Sequence, residues 1–225
     1  MIKNDPHFND PLPNPGLPED LPQGETLLWQ GVPRAASLAV RVFHMRKVAI
    51  YFALLMAWAI AARLAEGQSL ANAVLTPGRW LVPMGAVAVA FLYLLAWLTA
   101  RTTLYTITSK RVALRVGIAL TMTINVPFSR IEAADVKMNA DGTGDIALKL
   151  GTETRIAYLI LWPHARPWLV SKPEPMLRAL ADPAKVAAIL GRAVAQSAQG
   201  TTTVNIKGLR EQTAGGSPSA PAIPA

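Results

Sequence analysis

The apolar positions fall into three regimes along the chain. Val48 to Ala62 runs without a charge and is closed by Arg63, Leu64 and Ala65; Trp80 to Ala100 is a second uncharged run, of twenty-one residues. About 20 mainly apolar residues cross a bilayer as a helix. The second run meets that length by itself. The first meets it if the helix starts near Met45 and Arg63 turns its head group to the interface. With only the short segment 66–79 between them, the two runs predict a membrane hairpin rather than a pair of buried helices in a soluble protein. Pro83 and Gly85 lie near the start of the second run, where membrane helices tolerate both.

From residue 101 the period changes to two. Thr103–Thr108 and Arg111–Val116 alternate about a Ser109-Lys110 turn, and Ala119–Val126 follows until Pro127, which cannot donate to a ladder. Ile131–Met138, Ile146–Leu150, Arg155–Leu161 and Met176–Leu180 are further strand candidates. They are separated by the turn-rich Asn139–Asp145 and the GTET of 151–154. The period then becomes helical: Asp182 suits an N-cap, Pro183 the first helical position, and Val186, Ile189, Leu190 and Val194 recur through residue 198. Together these elements predict an α+β membrane protein. It has a two-helix transmembrane hairpin (48–65 and 80–100) and a small β-barrel or curved sandwich over 101–198 capped by a C-terminal helix, the shape of a pleckstrin-homology-like domain, although the pattern alone also fits other small β-barrels. Residues 1–23, with six prolines and a net charge of −3, read as a disordered arm, 24–47 as a basic pre-membrane segment, and the Gly/Ser/Thr-rich 199–225 as a disordered tail.

Composition sharpens the membrane reading. Hydrophobic residues make up 52% and charged residues only 16%, against about a quarter in a soluble domain. The net charge is +8. Four bases and no acid lie between residues 34 and 47, and thirteen bases and seven acids between 101 and 198, whereas 66–79 carries one of each. Cytoplasmic flanks are enriched in Lys and Arg. Both termini are therefore expected in the cytoplasm and the short loop outside. Neither apolar run reads as a cleavable signal peptide. Arg41, Arg46, Lys47, Arg101, Lys110 and Arg111 are the candidate membrane-surface cations. Each contributes about 1 kcal/mol of attraction beside anionic lipid. No basic stripe is interleaved with stacking aromatics, so nucleic acid is not expected as a partner.

Signals for chemistry are sparse. Cysteine is absent, and His7, His44 and His164 are far apart, which argues against thiolate or multi-histidine metal sites. Asp141 and Asp145 lack the other ligands of a calcium loop, and no phosphate-binding loop, nucleophile elbow or carboxylate pair is found. No catalytic residue, metal or cofactor is therefore expected. His44, at the mouth of the first helix, is a weak candidate for a pigment ligand; a bond to lipid head groups or water is the simpler reading. The segment Trp162-Pro163-His164-Ala165-Arg166-Pro167-Trp168 is the most distinctive. Stiff prolines with Trp and Arg suit a partner-docking loop, and two Trp packed onto their own barrel suit the segment equally well.

Three motifs carry a family resemblance. Glu25-Thr-Leu-Leu28-Trp29-Gln-Gly31-Val-Pro33, Tyr105-Thr-Ile-Thr-Ser-Lys-Arg111-Val and Pro127-Phe-Ser-Arg-Ile131 resemble, in that order around a helical hairpin, the bacterial pleckstrin-homology-like membrane proteins. Within that group Arg41–Trp58, Ile160–Trp168 and Lys172–Asp182 look like the PuhB family of photosynthetic complex assembly proteins of purple bacteria. The resemblance runs from about Leu17 to Ala198. It implies a non-enzymatic factor of the bacterial inner membrane, cytoplasmic or intracytoplasmic, that helps assemble the photosynthetic reaction centre and its light-harvesting antenna. Its partners would be their subunits and membrane lipids, with a homodimer as a possibility the family raises. The residues themselves leave a second reading open, a module that binds anionic lipids or other membrane-protein partners through its basic surface.

Overall fold

The computed structural model describes residues 21–118, 121–151, 158–167, 169 and 171–197. The N-terminal arm to residue 20, the tail from 198 and Trp168 lie outside them. The described chain divides into two units, one formed by the segments on either side of residues 34–101 and the other by residues 34–101.

The first unit holds seven strands in two antiparallel sheets. Strands β1 (Leu27–Gly31), β2 (Leu104–Thr108), β3 (Arg111–Val116) and β4 (Met122–Pro127) form one sheet in that order. Strands β5 (Ile131–Met138), β6 (Gly144–Leu150) and β7 (Met176–Leu180) form the other. The period-two pattern explains the local structure: β-branched and aromatic residues fit a pleated surface buried on one side. Pro127 closes β4, and a 3-10 turn over Phe128–Arg130 carries the chain to the second sheet. Phe128 is buried there, and its backbone N–H donates to the Lys110 carbonyl.

Helix α5 (Pro183–Ser197) follows β7 and completes the core. Its first turn is tied by the Val186 N–H to the Asp182 carbonyl. Val186, Ala187, Leu190, Ala193 and Val194 form its buried face and join Tyr105, Ile107, Leu114, Ile131, Ile146, Leu148 and Leu177 in one hydrophobic cluster. A four-stranded and a three-stranded sheet closed by a C-terminal helix is the pleckstrin-homology-like arrangement expected for this part of the chain.

The domain boundary differs from the sequence expectation of 101–198. Strand β1 lies before both apolar runs yet pairs with β2, Trp29 opposite Ile107 and Gly31 opposite Tyr105. Part of the segment 24–47 is thus a strand of the domain, and the second unit is an insertion between two neighbouring strands. The physical reason is hydrogen bonding: without β1 the outer N–H and C=O groups of β2 would form an open sheet edge. A second correction concerns Arg155–Leu161. Residues 152–157 lie outside the description, but Tyr158–Leu161 is a single helical turn, α4, rather than strand. Part of the expected strand Ala119–Val126 also lies outside the description, and β4 starts at Met122.

The second unit contains α1 (Ala35–Arg41), α2 (Met45–Ala65) and α3 (Leu70–Thr102). Helix α2 starts at Met45, and Arg63 donates from Nη1 to Gln68 Oε1 at the helix end. Helix α3 begins ten residues before Trp80, so most of the expected loop 66–79 is helical and the connection shrinks to Glu66–Ser69. Pro77 and Pro83 both lie inside α3. Each removes one backbone donor without ending the helix, as apolar surroundings favour keeping the remaining bonds.

At 1.5 Å per residue α2 is about 32 Å long and α3 about 50 Å, against a hydrocarbon core of about 30 Å. Both are long and apolar enough to cross a membrane. Their outward surface agrees: Trp58 is 69% and Val87 68% exposed, and Leu54 and Phe91 are exposed beside them. A contiguous apolar surface of that kind has its natural solvent in lipid.

Candidate docking site and the cluster behind it

The segment Trp162–Pro167 follows α4 and returns the chain toward β7. It is pinned at three backbone points. The Arg166 N–H donates to the Glu174 carbonyl, the Met176 N–H donates to the His164 carbonyl, and Ala165 forms a bridge with Pro175. The peptide between Trp162 and Pro163 is cis.

His164 is fully buried, beneath the loop rather than on it. Its Nδ1 lies 2.8 Å from the Tyr105 hydroxyl and its Nε2 3.0 Å from Thr103 Oγ1. The Arg178 backbone N–H donates to the same Tyr105 oxygen at 3.0 Å. The phenol proton is then available for Nδ1, and Nε2 carries the ring hydrogen and donates to Thr103. Burial, reinforced by the Arg178 charge, pushes the His164 pKa down to about 3, so the ring is neutral. Burial raises the Tyr105 pKa and keeps the phenol protonated. Arg178 donates from Nη2 to the Ala165 carbonyl at 2.8 Å. Burial lowers its pKa while the Asp145 carboxylate opposes the shift. Asp145 in turn accepts the Ala179 N–H at 2.8 Å, holding that residue at φ 54 where β7 bulges against β6.

Arg166 is also committed to the fold. Its Nη1 reaches Asp135 Oδ2 at 3.2 Å and Glu174 Oε2 at 2.8 Å, and the Glu174 bond is the main cause of its raised pKa. Of the six residues expected to form a docking loop, His164 and Arg166 therefore hold the loop to the barrel. Pro163 is half-buried, Pro167 is exposed and Trp162 is 53% exposed. Trp168 lies outside the described residues. Among the described residues, the side chains able to meet a partner reduce to Trp162, Pro163 and Pro167. This division could not be seen in the heptapeptide, because the partners of His164 lie 59 and 61 residues away.

The candidate cations are distributed over both units. Arg46, Lys47 and His44 are exposed at the start of α2, where His44 itself adopts φ 54. Arg41 closes α1. Arg101 lies 4.5 Å over the Trp97 ring at the end of α3, the pairing expected at a membrane-water boundary. Lys110 is exposed on the β2–β3 turn. Arg111 is not a free surface cation: its Nε donates at 2.9 Å to Glu25 Oε1. That same oxygen accepts Thr108 Oγ1 at 2.6 Å. Glu25 is 8% exposed. The first two sequence motifs thus meet in space, and Glu25, eighty-six residues before Arg111, fastens β1 to the sheet. Trp29 explains another motif position, because its ring folds over Gly31 and leaves no room there for a Cβ.

Within the hairpin, Phe52 packs against Gly85; a Cβ at Gly85 would lie 3.1 Å from Phe52 Cγ. Met56 packs against Gly78 in the same way. Beside this contact an apolar groove of about 350 Å³ is lined by residues that include Ala49, Ala53, Val82 and Val89. Among the described residues no cluster of three or more His, Asp or Glu side chains is placed to hold a metal ion.

Comparison with known proteins agrees with this architecture. A relative from Rhodobacter capsulatus, described as an uncharacterized 23.7 kDa protein in the puhA 5' region, is 39% identical over 188 residues. The match covers 83% of this chain and 87% of that protein. No solved structure matches the chain. The model of the bacterial PH domain family matches residues 47–194, which take in the hairpin and strands β2 to β7. With its membrane hairpin, its two antiparallel sheets and its closing helix, the chain belongs to the bacterial PH domain family.

Proposed function

We propose that this protein is a non-enzymatic assembly factor for the photosynthetic reaction centre and its light-harvesting antenna, of the PuhB kind. The observation that carries the reading is the Rhodobacter capsulatus relative, which lies in the 5' region of puhA, a photosynthesis gene region. The form of the molecule supports it. Helices α2 and α3 offer long apolar surfaces to other membrane helices. Helix association in lipid depends on close packing of such surfaces. Ala57 and Ala61, exposed on α2, are small enough to let a partner backbone approach, whereas Gly85 is taken up by Phe52 within the hairpin. The groups whose titration burial shifts, His164, Tyr105 and Arg178, are engaged in holding β2, β7 and the loop together, which supports a scaffolding role over catalysis. Both termini and the PH-like domain lie on the cytoplasmic side in this account, with the Glu66–Ser69 connection across the membrane, following the basic flanks.

Deleting the gene lowers assembled reaction centre and antenna without lowering their transcripts. Pigment spectra of membranes and transcript counts from the same cultures check this. Unchanged complex levels would refute the role. The second reading, recognition of anionic lipid, is favoured by exposed Arg46, Lys47, Arg101 and Lys110. It predicts binding to anionic vesicles that weakens with salt.

A further inference from the structure

The connections between strands of the PH-like domain differ in character. The β2–β3 turn is Ser109-Lys110 and the β5–β6 turn runs from Asn139 to Thr143; both are polar, as turns usually are. The β3–β4 connection instead follows Gly117 with Ile118 and leads through Ala119, Leu120 and Thr121 to Met122, with no charge and no Asn, Asp or Pro. Ile118 is 43% exposed and Met122 47% exposed.

Register fixes where this connection lies in the sheet. Gly31 pairs with Tyr105, Tyr105 with Leu114, and Leu114 with Ile124. Leu104 pairs with Arg115, and one rung further Val116 pairs with Met122. The β3–β4 connection therefore leaves the sheet at the end where β1 finishes and β2 begins. Those are the two points at which the chain passes to residues 34–101 and returns from them. The Ser109-Lys110 turn leaves the opposite end. Where the hairpin crosses a bilayer, covalent continuity brings the first end to the membrane surface. The apolar connection lies at that end and the cationic turn at the other.

From this juxtaposition we infer that Ile118 and Met122, the exposed apolar residues at the two ends of the β3–β4 connection, enter the lipid interface. The occupant is lipid and not a protein groove, because the chain on either side of this end of the sheet continues into the two long apolar helices. The insertion adds a third anchor to the two helices and limits rotation of the domain about its two connecting segments. The inference rests on the hairpin spanning the bilayer and is independent of any role in photosynthesis.

The chain has no cysteine, so single cysteines label cleanly. The full-length protein is reconstituted in vesicles of phosphatidylcholine and phosphatidylglycerol. It carries an environment-sensitive fluorophore at Ile118→Cys, Met122→Cys, Lys110→Cys or Val87→Cys. Spin-labelled lipids are expected to quench the label at 118 and 122 several-fold more than at 110, with the hairpin label at 87 also quenched. Labels at 118 and 122 no more quenched than at 110, with 87 quenched, would overturn the insertion. Loss of quenching at 87 as well would overturn the membrane-spanning reading together with it. Unmodified protein gives a second readout free of label effects. Peroxide should oxidise Met122 several-fold more slowly than Met138 in vesicles, although Met122 is the more exposed in the protein itself. Equal rates would count against insertion.

Discussion

Lowering the pH places a defined load on the His164 cluster. In the unfolded chain the imidazole has a pKa of about 6.5, and in the folded domain it is held near 3. Between those values the unfolded state binds a proton that the folded state does not. Stability is therefore fully present above about pH 6.5 and falls as pH drops toward 3. The slope approaches about 1.4 kcal/mol per pH unit, so the domain loses about 2 kcal/mol between pH 7 and pH 5 from this residue alone. Most carboxylates titrate lower and contribute little in that interval. His164→Gln cannot protonate and fills much of the same space. It leaves one of the two hydroxyl partners unsatisfied, at a cost of about 1–3 kcal/mol at pH 7. The difference between wild type and variant is therefore greatest near neutrality and shrinks by about 2 kcal/mol by pH 5. Hydrogen exchange read by mass spectrometry on peptides covering β2 and β7 measures this within the domain, without unfolding the hairpin. A difference that stays constant from pH 7 to pH 5 would refute the buried neutral histidine.

Three further outcomes follow from the packing. Replacing residues 34–101 by a short turn should yield a folded, water-soluble domain, since Gly31 and Tyr105 are already paired neighbours; residues 102–198 alone, lacking β1, should melt lower and aggregate. Gel filtration and melting curves distinguish the two, and equal behaviour would contradict the assignment of β1 to the domain. Glu25→Ala removes the acceptor of both Thr108 and Arg111 and should destabilise β1 by about 1–3 kcal/mol. The double variant with Arg111→Ala should cost less than the sum of the single changes, whereas additivity in hydrogen exchange of β1 would show that the pair is not coupled. Gly85→Val forces new methyl groups against Phe52 and should loosen the hairpin by about 1–3 kcal/mol. Phe52→Ala should partly restore it, and cross-linking efficiency between cysteines placed on α2 and α3 reports the change.

Much of the fold can be read locally because its signals are local. The bounds of β3, β5 and β7 and the start of α5 at Pro183 follow from alternation, Pro127, the NADGT turn and the Asp182-Pro183 pair. The failures occur where distant partners or the surroundings decide. LLWQG is too short to declare itself a strand, and the strand that accepts it lies beyond two membrane helices. Pro77, Gly78 and Arg79 are ordinary signs of a loop, yet they lie inside α3, whose apolar surroundings favour unbroken backbone bonding. The docking segment was visible as an unusual string, but its division was not. His164 is an inward residue because of Thr103 and Tyr105, and Arg166 a fastened one because of Asp135 and Glu174. The same holds for Arg111, whose partner Glu25 belongs to a different motif.

The assembly role is tested most directly by capturing the tagged full-length protein in mild detergent from photosynthetically grown cells. Absorption spectra and mass spectrometry are then recorded on what co-purifies. The account predicts reaction-centre or antenna subunits with their pigment absorption, enriched over an equally abundant tagged membrane protein. Recovery of the protein with lipid alone, and no such subunits above that control, would contradict it.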